Sequence, residues 1–187
     1  MTKNMEKNLS RTEWREAATG GLYAGLAYAL LTIAAHASRS MPGLVTILNA
    51  VSFFSFAGFL YFYARRMAAY AGGDGFSYGR SLLFVLKMSL FAGVLAGVGQ
   101  FVLVNWIDPE GFREQFDLMV ANMAGGGMGE KEAEMAGSLG LKLMRNPLFA
   151  VFSGIFSMLI YGGLLGLLIS IFVRRPADPF GGGTFAE

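Results

Sequence analysis

Side chains able to ionise, coordinate or attack are scarce in this sequence and sit far apart. His36 is the sole histidine and cysteine is absent, so neither a multi-histidine zinc site nor a thiolate site can be assembled, and no base stands near an apolar-segment serine such as Ser153. Gly72-Gly73-Asp74-Gly75 has the glycine-aspartate flavour of an intramembrane aspartyl protease, but it lacks the first glycine and the second aspartate that a shared-proton dyad requires. Gly125 to Gly129, followed by Glu130 and Lys131, lacks the Gly-Lys-Ser/Thr step of a phosphate-binding loop. Both clusters read as flexible connections. The expectation is a protein that is not an enzyme, with no catalytic, cofactor-binding or metal-binding residues and no cofactor.

What remains is a set of polar side chains in apolar surroundings: Asn49, Lys87, Gln100 and Asn105. Lys87 lies less than two turns from a segment end and leans toward the helix N-terminus, so it is expected to snorkel to the interface; a lipid-phosphate contact shared with Arg80 and Arg65 is the functional alternative. Asn49, Gln100 and Asn105 are suited to bonds between helices or to lining a small wet cavity. None of the apolar segments carries Asp or Glu, which weighs against an ion-coupled carrier.

The elements that must position these residues are four apolar stretches: Ala17 to Ala37, Leu44 to Ala64, Leu82 to Ile107 and Leu148 to Val173. About 20 apolar residues span a hydrocarbon core of about 30 Å, so each is long enough to cross a bilayer. With 54% hydrophobic residues and most of the charge outside these stretches, the composition fits a membrane protein and not a soluble domain. The net charge of +2 does not point to nucleic acid, because the basic residues flank membrane segments and form no basic face. The expected organisation is an N-terminal tail at 1–16, a four-span membrane domain at 17–175 and a flexible tail at 176–187.

Basic residues are retained on the cytoplasmic side. They crowd the N-terminal tail (Lys3, Lys7, Arg11, Arg15), the second connection (Arg65, Arg66, Arg80) and the C-terminal tail (Arg174, Arg175), against Arg39 alone in the first connection. Both termini are therefore expected in the cytoplasm of a bacterial inner membrane. The loop 108–147 has four basic and seven acidic residues, a net charge of −3, which fits the exterior. A rival is a cleaved signal peptide ending at Ala35-His36-Ala37; against it stand the acidic residues of the long n-region and a Ser10/Glu13 capping box that would start a helix running into span one.

Gly21 and Gly25, Gly93 and Gly97, and Gly162 and Gly166 are each four apart, a spacing that lets helix backbones approach closely in lipid, within one chain or in a homo-oligomer. Span two offers Ser52, Ser55 and Gly58 instead. Trp106 sits where an interfacial aromatic belongs, and Tyr161 lies deep in span four. The similar ends of spans two and four, each closed by two arginines, reflect charge placement more than duplication. In the exterior loop, Asp108 can N-cap a helix that begins with Pro109, and Phe112, Phe116, Met119 and Met123 repeat on one face. That stripe is the candidate docking face. Glu130 to Met144 forms a second helix, ended by Arg145-Asn146-Pro147.

The order Tyr63-Ala64-Arg65-Arg66, a glycine-bearing connection, Phe76-Ser77-Tyr78-Gly79-Arg80-Ser81-Leu82-Leu83-Phe84 and a long span entering Ile107-Asp108-Pro109-Glu110 resembles the bacterial integral membrane proteins grouped as domain of unknown function 4199. The resemblance runs from about residue 16 to 175. It implies a four-helix inner-membrane protein with an exterior loop between the last two spans and no established activity. Independently, Ser77 can N-cap span three with Phe76 as its anchor.

The expected structure is an all-α, four-helix transmembrane bundle with an exterior helical loop between spans three and four. Its expected role is that of a non-enzymatic structural or docking component, whose loop meets the bilayer surface, an envelope protein partner or a second copy. The alternative is a small-solute or ion pathway lined by Asn49, Gln100 and Asn105, which predicts polar faces converging from different helices.

Overall fold

The computed structural model describes residues 2–72 and 75–176, with side chains from residue 9 onward. Among the described residues six helices follow one another: α1 Thr2–Ala37, α2 Pro42–Ala71, α3 Tyr78–Val102, α4 Pro109–Gly125, α5 Glu130–Met144 and α6 Pro147–Val173. A π-helical turn at Leu103–Ile107 closes α3. Four of the six, α1, α2, α3 and α6, are long and apolar enough to cross a membrane. At one end of the bundle α1 enters and α6 leaves; at the other, α4 and α5 form a hairpin.

Three starts follow from local sequence. Ser77 accepts from the Arg80 backbone N–H at 3.4 Å. Asp108 accepts from the Gly111 N–H at 3.1 Å, and Asn146 accepts from the Leu148 and Phe149 N–H groups. Pro109 and Pro147 occupy first helical positions, where a missing N–H costs nothing. The turn between α4 and α5 needs Gly127, whose φ of 98° disfavours any side chain.

The start of α1 differs from expectation. The helix is continuous from Thr2, so Ser10 lies inside it and caps nothing. At 36 residues and about 1.5 Å per residue it is about 54 Å long, well beyond one hydrocarbon core. Likewise, α2 continues past Ala64 to Ala71. Gly73, Asp74 and the tail beyond residue 176 lie outside the described residues.

The paired glycines are spent inside the chain. A Cβ on Gly25 would come within 2.6 Å of the Ala92 carbonyl oxygen of α3, and one on Gly97 within 2.6 Å of Val151 Cα of α6. Gly162 meets Ser89, and Gly166 meets Leu82 and Val85. Thus α3 is clasped by α1 on one side and α6 on the other, through backbone proximity that lipid cannot replace. Reciprocal 2.9 Å backbone bonds between Phe76 and Arg175 tie the start of α3 to the end of α6.

Packing is uneven along the bundle axis. The main core gathers Phe56, Leu60, Tyr63, Met67, Phe76, Phe84, Met88, Ile169 and Val173 toward the end that carries the termini. In α2 burial begins only at Ser52, and nothing in its first ten residues is buried. The bundle is therefore closed at one end and splayed at the hairpin end, where the first ten residues of α2, a helix that packs mainly on α1 and little on α3 or α6, bury nothing.

Candidate functional site

The splay leaves a crevice. Its mouth is an open hollow of about 550 Å³ lined by Thr32, His36 and Arg39 of α1, Thr46 and Asn49 of α2, Gln100 of α3 and Phe112 of α4. A second hollow of about 180 Å³ shares Gln100 and adds Tyr28, Ser153 and Ser157. A third, about 320 Å³, shares Tyr28 and Ser157 and reaches Tyr161. Below them rings close the space: Tyr28 against Phe56 (centroids 6.2 Å), Phe56 stacked on Tyr161 (5.7 Å) and Phe53 against Tyr161 (5.8 Å). The result is a recess whose walls mix these polar groups with apolar side chains such as Val45 and Leu103, over an aromatic floor.

Asn49 and Gln100 each lie seven residues from the hairpin end of their helix, about 10 Å deep at 1.5 Å per residue. They come from different helices, and neither side chain bonds another described residue. In hydrocarbon an unpartnered amide is costly, so such groups belong in contact with water or a bound polar molecule. The two threonines on the same walls have satisfied themselves locally, Thr32 donating to the Tyr28 carbonyl at 2.9 Å and Thr46 to that of Pro42 at 3.0 Å. Asn105, predicted to share this role, does not reach the recess: its amide donates to the Phe101 carbonyl of its own helix at 3.0 Å.

A polar lock stands beside the mouth. Asp108, while capping α4, also meets His36 Nε2 at 2.6 Å and Arg39 Nη1. The His36 hydrogen bond, the Gly111 N–H and the Arg39 charge, in that order, hold the Asp108 carboxyl below its ordinary range against the opposing effect of burial. The His36 ring lies parallel to Phe112, centroids 5.3 Å apart. The hairpin is thereby fastened to the end of α1 through residues 72 apart.

The predicted docking stripe is divided among these contacts. Phe112 is taken by His36, and Phe116 lies over Gly140 of α5, where a Cβ would sit 2.8 Å from its ring. Met123 is half-buried and Met119 exposed. The stripe serves the hairpin's own assembly first, because α4 and α5 each bury one face on the other.

At the opposite end the structure corrects the reading of Lys87. Its ammonium is not simply snorkelled: Nζ lies 2.8 Å from Glu13 Oε1 of α1 and 4.9 Å from the centroid of the Trp14 ring. Arg80 reaches the same carboxylate at 3.6 Å, and Arg66 pairs with Glu16 at 3.3 Å. Arg65 takes no part. Both glutamates are buried, so acidic side chains do enter the bundle, just below the previously assigned start of span one. A periodic signal was present: Glu13, Glu16, Ala17, Gly20, Gly21, Ala24 and Gly25 follow at three- and four-residue spacing along one face, all buried. Extending the small-residue face of α1 backward by two turns would have found them.

Fold and site together define a multi-pass α-helical membrane protein. The chain belongs to the family described as "Protein of unknown function (DUF4199)", whose sequence model matches residues 19–175. No curated protein and no solved structure gave a match.

Proposed function

We propose that this protein is a non-enzymatic solute-binding component of a bacterial inner membrane, of the carrier type, taking a small polar solute into the recess from the exterior. The observation that carries the proposal is the pair of unpartnered amides, Asn49 and Gln100, on separate helices and facing one open hollow. Polar faces converging from different helices are what a solute pathway requires. An aromatic floor and a sealed, charge-paired inner end fit a carrier in one access state better than a channel. The recess walls hold amide, hydroxyl and phenol groups, which recognise a solute by hydrogen bonding. The basic residues at the other end support an orientation with both termini in the cytoplasm.

The test is aqueous access. The chain has no cysteine, so Asn49→Cys and Gln100→Cys can be introduced singly into the full protein in oriented vesicles. Both should react rapidly with a membrane-impermeant thiol reagent added from the hairpin side and slowly from the other. Phe156→Cys, at similar depth on the outward face of α6 and outside the recess, should lag them by about tenfold, equivalent to about 1.4 kcal/mol in access. If the Asn49 and Gln100 positions label no faster than Phe156, the recess is filled by lipid and the proposal falls.

A further inference from the structure

Helix α5 carries an apolar stripe that none of the described residues covers fully. Ala133 and Gly137 are buried on α4, with Val120 and Phe116 opposite Gly137, whereas Met135, Leu139 and Leu143 recur every fourth residue and are exposed at 67%, 56% and 38%. Lys131 and Lys142 flank the stripe along one edge, Glu130 and Glu134 lie further round, and Glu132 lies on the line of the stripe itself, ending it in the first turn of α5. An apolar stripe edged by lysines is the pattern of a helix lying in a membrane interface.

What covers it is indicated by what it joins. Met144, the last residue of α5, lines the same hollow as Ala150, Ser153 and Ser157 of α6 and Gln100 of α3. The C-terminal turn of α5 is thus packed against membrane-spanning helices. Only Arg145 and Asn146 separate it from α6, whose outward face begins at once with Leu148 and Phe152, both 70% exposed. Leu143 and Leu148 are five residues apart, so the stripe continues the lipid-facing surface of α6.

We infer that α5 is an interfacial helix whose Met135, Leu139 and Leu143 stripe is seated in the headgroup–acyl boundary of the leaflet at the hairpin end, holding the α4–α5 hairpin down beside the mouth of the recess. The inference does not depend on what the recess binds.

Nitroxide labels at Leu139→Cys and Leu143→Cys, each in the otherwise cysteine-free protein reconstituted into phosphatidylcholine and phosphatidylglycerol vesicles, provide the test, with Glu134→Cys as the polar-face reference. Oxygen should relax the two stripe labels efficiently, while a water-soluble nickel chelate reaches them about fivefold less than it reaches position 134, as expected for side chains sunk about 5–10 Å into the interface. Equal nickel access at all three positions places the stripe in water and overturns the inference. So does dipolar broadening at Leu139 that disappears on dilution with unlabelled protein, which assigns the stripe to a second copy. Neither labelled site is in the core, and circular dichroism of each variant verifies that the helices are intact.

Discussion

Glu13 holds two cations from α3, and its two bonds are unequal: 2.8 Å to Lys87 against 3.6 Å to Arg80. The carboxylate is buried, while both cations keep part of their side chains exposed. Removing one partner of a buried pair costs on the order of 3 kcal/mol when the remaining charge cannot escape. Lys87→Met leaves the buried carboxylate with only the longer Arg80 contact at 3.6 Å, whereas Glu13→Gln leaves Lys87 and Arg80 free to turn toward the interface. Lys87→Met should therefore lower the thermal unfolding midpoint in detergent more than Glu13→Gln, and the double variant should recover part of that loss. Equal effects of the two single variants, adding in the double, would mean that the pair contributes no coupling. Asp108 makes a pH-dependent contribution. Its carboxyl is held below the ordinary value of 3.8, so the folded hairpin binds its proton more weakly than the unfolded one. The stabilisation is complete above that value and disappears as pH falls through the lowered one. Protease resistance of the loop in vesicles should accordingly be level from pH 7 to about pH 4 and decline below it, whereas Asp108→Ala should be sensitive throughout.

Among the elements, α3 carries most of the assembly because both of its glycine-bearing faces are engaged. A Cβ on Gly97 would press on the Val151 backbone, and backbone cannot step aside as a side chain can. Gly58 in α2, by contrast, meets nothing within 4 Å. Gly97→Ala should separate α3 from α6 and lower the unfolding midpoint by several degrees, a penalty of about 1–3 kcal/mol for overpacking. Gly58→Ala should be neutral or slightly favourable, since Ala fits a helix interior better than Gly by about 1 kcal/mol. A neutral Gly97→Ala would show that the α3–α6 contact is looser than described. The same contrast explains why α2 packs on α1 but engages α3 and α6 little: its Gly58 makes no comparable close approach, and only its second half reaches the core.

For the whole molecule, the ends differ in kind. One is closed by an apolar core and two buried glutamates with their cations; the other is splayed, polar and overlaid by the α4–α5 hairpin. Reporter fusions after Arg66 and at Gly127 should lie on opposite faces of the membrane, the first in the cytoplasm and the second outside. A cytoplasmic signal from Gly127 would reverse the orientation on which solute entry from the exterior rests.

Four apolar helices and the helical hairpin were legible in the residue order because each depends on neighbours in sequence, whereas α1 and α2 run beyond the apolar stretches that marked them. A hydrocarbon-crossing helix satisfies its own backbone and needs only enough consecutive apolar residues. Asp108-Pro109 and Asn146-Pro147 announce their helices through caps that act within three residues. The docking face and the polar trio were legible only as lists. Phe112 and Phe116 share a helix face, yet their partners, His36 and Gly140, lie on other helices; Asn105 matches Asn49 in type, yet bonds within its own turn. Tertiary structure alone decided that Glu13 would meet Lys87 across 74 residues, that α2 would splay, and that Asn49 and Gln100 would face one recess. The physical reason is that close packing through Gly25 and Gly97 commits α3 to α1 and α6, leaving α2 to close the bundle at one end only. That outcome depends on which backbones can approach, a property of pairs of helices and not of any one of them.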